Sequence, residues 1–169
     1  MAARLMNHPG QFNVGLNVVE FDIDDKSTGE KDTGFDFRKG DVIMDVWVDV
    51  QTAEATSGTK TIDVGLLSTE TGGDADGLAD GLSTATANVV QPKTTITTGA
   101  NTKFAASTTR GVLLEDFQAG TDVDQDEGLA YRKHHICDGV AKSLSYTLGA
   151  AHTELVGKGY VLFFRAPGR

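Results

Sequence analysis

Residues 41–50 read DVIMDVWVDV, and the choice between helix and sheet is made there. Val42, Met44, Val46, Val48 and Val50 fall on one parity, and Asp41, Ile43, Asp45, Trp47 and Asp49 on the other. A period of two sets one row against a core and the other mostly against water, which is a strand. A helix would spread the aspartates around its axis, and so many β-branched residues disfavour one. Residues 60–67, KTIDVGLL, repeat the pattern, with Ile62, Val64 and Leu66 opposite Thr61, Asp63 and Gly65. The small, polar run 52–58 between them predicts an antiparallel hairpin with a long exposed loop.

Strand signals continue on both sides. In 11–22, Phe12, Val14, Leu16 and Val18 share one face, and Val19, Phe21 and Ile23 then carry the apolar side on the other parity. That switch predicts a bulge near 18–20, or a strand covered on both faces in its second half. Residues 24–34 (DDKSTGEKDTG) read as a charged loop, and 68–81 and 119–128 as acidic, turn-rich loops. Short strands are expected near 35–37, 82–90 and, more weakly, 93–98; 111–117 is a short apolar run, and an edge strand is expected at 130–137, where Lys, Arg and His discourage stray pairing. Residues 141–148 alternate again, with Leu144, Tyr146 and Leu148 against Ser143, Ser145 and Thr147. In 154–166, Tyr160, Leu162 and Phe164 share one face and Val161 and Phe163 the other, so the strand needs cover on both. No stretch reads as a helix of three turns, and no repeat or long linker divides the chain. The expected fold is all-β: a single antiparallel β-sandwich over 12–169, jelly-roll-like, preceded by an N-terminal arm, 1–11, that contains a His-Pro-Gly break.

The composition narrows the function. With 169 residues the chain can bury a core without staples. Its formal charge of -9 repels phosphate backbones, so nucleic acid is not expected as a partner. The start of the chain offers no signal-like or membrane-length apolar run, so no membrane partner is expected and synthesis in a cytoplasm is. Cys137 is the single cysteine, so no internal disulfide forms.

Three groups could carry chemistry. Asp74, Asp76 and Asp80 lie in GGDADGLADG, and Asp122, Asp124 and Asp126 in TDVDQDEG. Both are weak calcium candidates, because oxygen-rich loops can hold that ion, but neither has the glycine and closing glutamate of an EF-hand; solvated turn carboxylates are the simpler reading. His134, His135 and Cys137 include an HxxC spacing, with no second cysteine and only the distant His8 and His152 to complete a zinc site, so a buried thiol on an edge strand is expected. No nucleophile elbow, phosphate loop or dinucleotide fingerprint is present. The expectation is a non-enzyme with no cofactor. Trp47 and Ile43 among aspartates, and Val161 and Phe163 on the last strand, are the candidates for contact with another subunit, as is Arg4 in the arm.

The run FRKGDVIMDVWVDVQTAEATSGTKTIDVGLLSTETGGDADG resembles small virion proteins of tailed bacteriophages, as do AKSLSYTLG and the aromatic closing strand GYVLFF more loosely. The resemblance is clearest over 35–81. It implies a structural subunit with no catalytic residues: a capsid decoration, or cement, protein that binds the outer surface of the head as a homotrimer. The major capsid protein would be its partner, and three-fold or quasi-three-fold positions its sites. A fibre, tail or vertex module that binds host glycan or receptor is the alternative. The scarcity of loop aromatics argues against it.

Overall fold

The computed structural model of the protein describes residues 4–5, 15–92, 94–99, 102–108, 110–118, 129–132 and 134–165. Fourteen strands run through them: β1 (Arg4–Leu5), β2 (Gly15–Asp22), β3 (Gly29–Asp36), β4 (Val42–Thr52), β5 (Thr61–Leu66), β6 (Asp74–Ser83), β7 (Asn88–Val90), β8 (Thr94–Gly99), β9 (Thr102–Thr108), β10 (Glu115–Gln118), β11 (Leu129–Arg132), β12 (His135–Ile136), β13 (Ser143–Leu148) and β14 (Val156–Arg165). One sheet has the order β1-β2-β14-β4-β12, with β7 also paired to β4; the second has the order β3-β13-β5-β6. Strands β8–β9 and β10–β11 form two separate hairpins. All pairings are antiparallel, and the two main sheets pack face to face as a β-sandwich.

The pairs are nested. β5 pairs with β6, β4 with β7, β3 with β13 and β2 with β14, and successive pairs fall on alternate sheets. The expected 41–67 hairpin therefore does not form. β4 and β5 lie in different sheets, and residues 53–60 cross between the layers. Two strands whose apolar rows face each other through a core bury more than two laid side by side.

Aromatic rings join the layers. Phe21 of β2 stacks on Tyr146 of β13, with centroids 5.7 Å apart. Phe163 of β14 packs on Phe35 and on Phe37, at 5.8 and 5.3 Å. Around them lie Val19, Val46, Val48, Ile62, Val64, Leu66, Leu78, Leu82 and Leu144, all buried. Glycine makes the Phe21 position possible. Gly159 sits directly across from Phe21, and a Cβ there would lie 2.0 Å from the tip of the ring.

Several sequence expectations change. Ile43 is not on the wet face of β4. Phe163 pairs with Ile43 but Leu162 with Asp45, so Met44 is an extra residue, and this bulge turns Ile43 into the core. Asp41 is also buried, 1% exposed. Of the two readings of β2, the one with a covered second half holds: its register with β14 runs unbroken from Gly15 to Asp22, and Glu20 is buried on the second face, while Asn17 is buried on the core side with Val19 and Phe21. Phe12 and Val14 lie outside the described residues. Residues 24–34 and 68–81 contain most of β3 and of β6. β3 is an edge strand with Thr33 as its one buried residue, and β6 has two register shifts against β5, so neither keeps a clean alternation. Of the expected arm, Arg4 and Leu5 pair with Glu20 and Val19 at the sheet edge.

Candidate functional site

Four carboxylates shape the loops. Glu54 follows β4 and is 2% exposed. Its Oε2 accepts the backbone N–H groups of Thr153, Glu154 and Leu155 at 2.8, 3.0 and 3.1 Å, and its Oε1 accepts from the Thr56 amide and hydroxyl. The Thr56 hydroxyl first, then those amides, hold its carboxyl far below the usual range. Glu70 accepts the amides of Lys142 and Ser143 at 2.7 and 2.9 Å. Burial pushes the Glu70 carboxyl up, but the amides outweigh it and the net shift is downward. Glu30 accepts from Ser68 and from the Ser145 hydroxyl. These bonds account for the burial of Ser143 and Ser145: Glu30 of β3 and Glu70 of the turn after β5 cover the outer side of β13.

The fourth is Asp41, which forms a bidentate pair with Arg165 at the end of β14: Nε to Oδ1 at 2.9 Å and Nη2 to Oδ2 at 2.5 Å. Arg165 is 4% exposed and lies over the Phe163 ring at 5.0 Å. The Cys137 amide donates to the Asp41 carbonyl, so the turn at 38–41, β12 and β14 are tied at one corner.

The first of the two weak calcium candidates lies on strand and not in the expected turn-rich loop. Asp74, Asp76 and Asp80 lie on β6, and Asp74 is pushed up to about 6, first by a hydrogen bond with Asp76 and then by burial. Asp63 of β5, which accepts the Gly81 amide, is also raised, chiefly by burial. No three His, Cys, Asp or Glu among the described residues are placed together to hold a metal. Asp122, Asp124 and Asp126 lie outside the described residues. Cys137 is buried, and burial first, then Asp41, pushes its thiol up to about 12, so it is protonated at neutral pH.

A hydroxyl–imidazole pair escaped sequence reasoning. Thr84 Oγ1 lies 2.9 Å from His152 Nε2, and His152 Nδ1 lies 2.6 Å from the Ala150 carbonyl. The arrangement is that of a nucleophile, a base and an orienting group. Thr84 is 0% exposed and His152 4%, so the pair is enclosed and links the segment after β6 to the loop before β14. An open cleft of about 370 Å3 is lined by Asp22, Asp24, Asp25, Lys31, Asp32 and Tyr146, among others. Tyr146 spends its hydroxyl on the Asp25 backbone, and the Lys31 ammonium sits 5.7 Å from the Tyr146 ring.

Of the expected contact residues, Ile43, Val161 and Phe163 are 0% exposed. Their cover is the second sheet of the same chain, so they are core. The error has a readable cause: Gly157 and Gly159 share the parity of Val161 and Phe163, and strand glycines mark the side where other groups approach closely. Trp47 remains on the outer face, half-buried and stacked on Tyr160 at 5.3 Å and 11°. Arg4 lies at the register position beside Glu20. The outer face also presents residues that the sequence did not single out. Phe164 is paired with both Leu16 and Val42, and Val42 with Ile136, so these four form one row across β2, β14, β4 and β12. Leu16, Phe164 and Ile136 are 65%, 39% and 66% exposed. The all-apolar parity of Tyr160, Leu162 and Phe164 was the signal for it.

Comparison of the chain with protein-family models, with characterised proteins and with solved structures finds no match.

Proposed function

We propose that the protein is a structural virion component that binds the outer surface of a phage head, with the major capsid protein as its partner, as a homotrimer at three-fold or quasi-three-fold positions. The observation that carries this reading is the coupling of tied-down loops to an exposed apolar row on one sheet face. Buried carboxylates spend their acceptors on loop amides, which makes a rigid block, and the row gives that block something to adhere with. The resemblance of residues 35–81 to small phage virion proteins supplies the biological setting. We infer in addition that the strand order is that of a jelly roll. The support is the nested pairing of β2 with β14, β3 with β13, β4 with β7 and β5 with β6, as in one long hairpin rolled up.

The test is the number of copies per major capsid subunit in purified virions. A ratio near one, or a simple lattice fraction of it, is expected. A handful of copies per particle overturns the head-coating role in favour of a fibre, tail or vertex module, and absence from virions overturns both.

A further inference from the structure

Where β2 ends, the open cleft of about 370 Å3 gathers four carboxylates, Asp22, Asp24, Asp25 and Asp32, against one ammonium, that of Lys31 over the Tyr146 ring. Three of the four have partners nearby in the chain. Asp22 lies 3.3 Å from the Lys158 ammonium, Asp25 accepts the Ser27 amide and hydroxyl at 2.9 and 2.6 Å, and Asp32 accepts the Gly34 amide at 2.7 Å. The Lys31 ammonium donates to the Ser27 carbonyl. Asp24 differs. It is exposed, and its carboxyl is held below the ordinary value first by a hydrogen bond from the amino terminus of the chain, against the opposing effect of burial. A metal ion needs several carboxylates to converge on one point, which none of these does among the described residues. A primary ammonium needs no such convergence, because it shares three donors among separate acceptors.

The register says which ammonium can reach the cleft. β1 runs antiparallel to β2, with Arg4 beside Glu20 and Leu5 beside Val19. Continued back from Arg4 at about 3.3 Å per residue, the same pairing would set residues 3, 2 and 1 beside Phe21, Asp22 and Ile23. The main chain then ends next to Asp24. We propose that the cleft is an ammonium-binding site and that, in a chain starting at Met1, its occupant is that chain's own α-ammonium, carried there by residues 1–3 as an extension of β1. The sequence suits this path. Ala2 and Ala3 are too small to compete with Lys158 for Asp22 or to press on the buried Phe21 ring. The excess of carboxylates over ammonium groups in the cleft draws a cation in. Chain ends are ordered when something ties them down, and here the tie is electrostatic: it pins the start of the arm to the sandwich and keeps the terminus from an aminopeptidase. The site stands independently of the head-coating reading.

The test is the reactivity of the α-amino group in the full chain. Only the neutral amine is acylated, and carboxylates around it favour the charged form. With acetic anhydride near neutral pH, the folded chain is expected to react at its α-amino group about tenfold more slowly than the same chain unfolded in urea, as for a pKa raised from about 8 to about 9. Peptide mass spectrometry separates this product from the lysine products. Asp24→Asn, a change at an exposed position, should restore most of the unfolded rate. Asp138→Asn removes the same charge beside β12, at the other end of the larger sheet, and should leave the protection in place. Equal rates in the folded and unfolded chain, protection that Asp24→Asn keeps, or protection that Asp138→Asn removes would each overturn the proposal. An unprotected α-amino group together with saturable binding of putrescine, read at the Asp24 carboxyl by NMR, would also overturn it and give the cleft to free amines. Copy number in virions is a separate measurement, so failure here leaves the head-coating role standing.

Discussion

Asp41→Ala probes the corner where β14 ends. The substitution takes the carboxylate from a guanidinium that is 4% exposed and donates its paired bonds to it at 2.5 to 3.1 Å. It also removes the acceptor of the Arg38 amide. Breaking a buried pair from one side costs about 3–5 kcal/mol, because the remaining charge stays buried without its counter-ion. With a urea slope of about 2 kcal/mol per molar, the unfolding midpoint falls by roughly 1.5–2.5 M. Trp47, the one tryptophan, lies on a strand of the same sheet and reports unfolding by its fluorescence. Arg165→Met should cost a similar amount, since it strands the carboxylate while keeping apolar contact with Phe163. The double variant Asp41→Ala/Arg165→Met buries neither charge, so it should recover a large part of the loss, with a coupling of about 2 kcal/mol. Strict additivity of the two single effects, or a shift of under about 0.5 M in either single variant, would refute the argument that this corner is held by the pair.

Gly159→Ala places a methyl group inside the Phe21 ring position and should cost at least the roughly 1–3 kcal/mol of an overpacked core, read as a lower urea midpoint, with partial rescue by Phe21→Leu. Asp74 gives a pH dependence of opposite sign to the usual carboxylate. Its folded pKa of about 6 lies above the ordinary value of 3.8, so its contribution is complete below about pH 4 and is lost as pH rises through 6. Asp74→Asn should therefore gain stability relative to the parent between pH 4 and 7, on the order of 1 kcal/mol after allowance for solvent screening. An unchanged difference across that range in urea titrations would remove Asp74 as the cause. Glu54 has the reverse sign: its carboxyl is depressed, so its contribution is present above the ordinary glutamate range and is lost only in strong acid. Glu54→Ala should speed hydrogen exchange at the Thr153, Glu154 and Leu155 amides about tenfold or more near neutral pH, while amides in the middle of β14 change little.

The strands with a strict period were legible in the sequence, and their partners were not. Residues 42–52, 61–66, 143–148 and 156–165 stand close to where alternation put them. Alternation shows that a strand has two faces. It does not say which strand lies beside it, and so 41–50 and 60–67 looked like a hairpin when their rows in fact meet across the core. Single-residue features changed the rest. The extra residue Met44 reversed Ile43, and a run of small or charged residues hid β3 and β6, whose places come from their neighbours and not from their own pattern.

The same distinction explains why the acidic residues misled. Read along the chain, GGDADGLADG looks like a flexible oxygen-rich loop, and Glu30, Glu54 and Glu70 look like ordinary surface charge. A carboxylate on a loop has two uses that composition cannot separate: it can hold a cation, or it can accept backbone N–H groups that a crossing between sheets leaves without partners. The deciding quantity is which donors lie within about 3 Å. For Glu54 and Glu70 they are amides of segments that lie far along the chain, 153–155 and 142–143. A sandwich whose nested pairs alternate between sheets needs long crossings, and each crossing leaves amides unpaired. The acidity near these crossings thus follows in part from the topology, with the carboxylates closing bonds that the strands cannot.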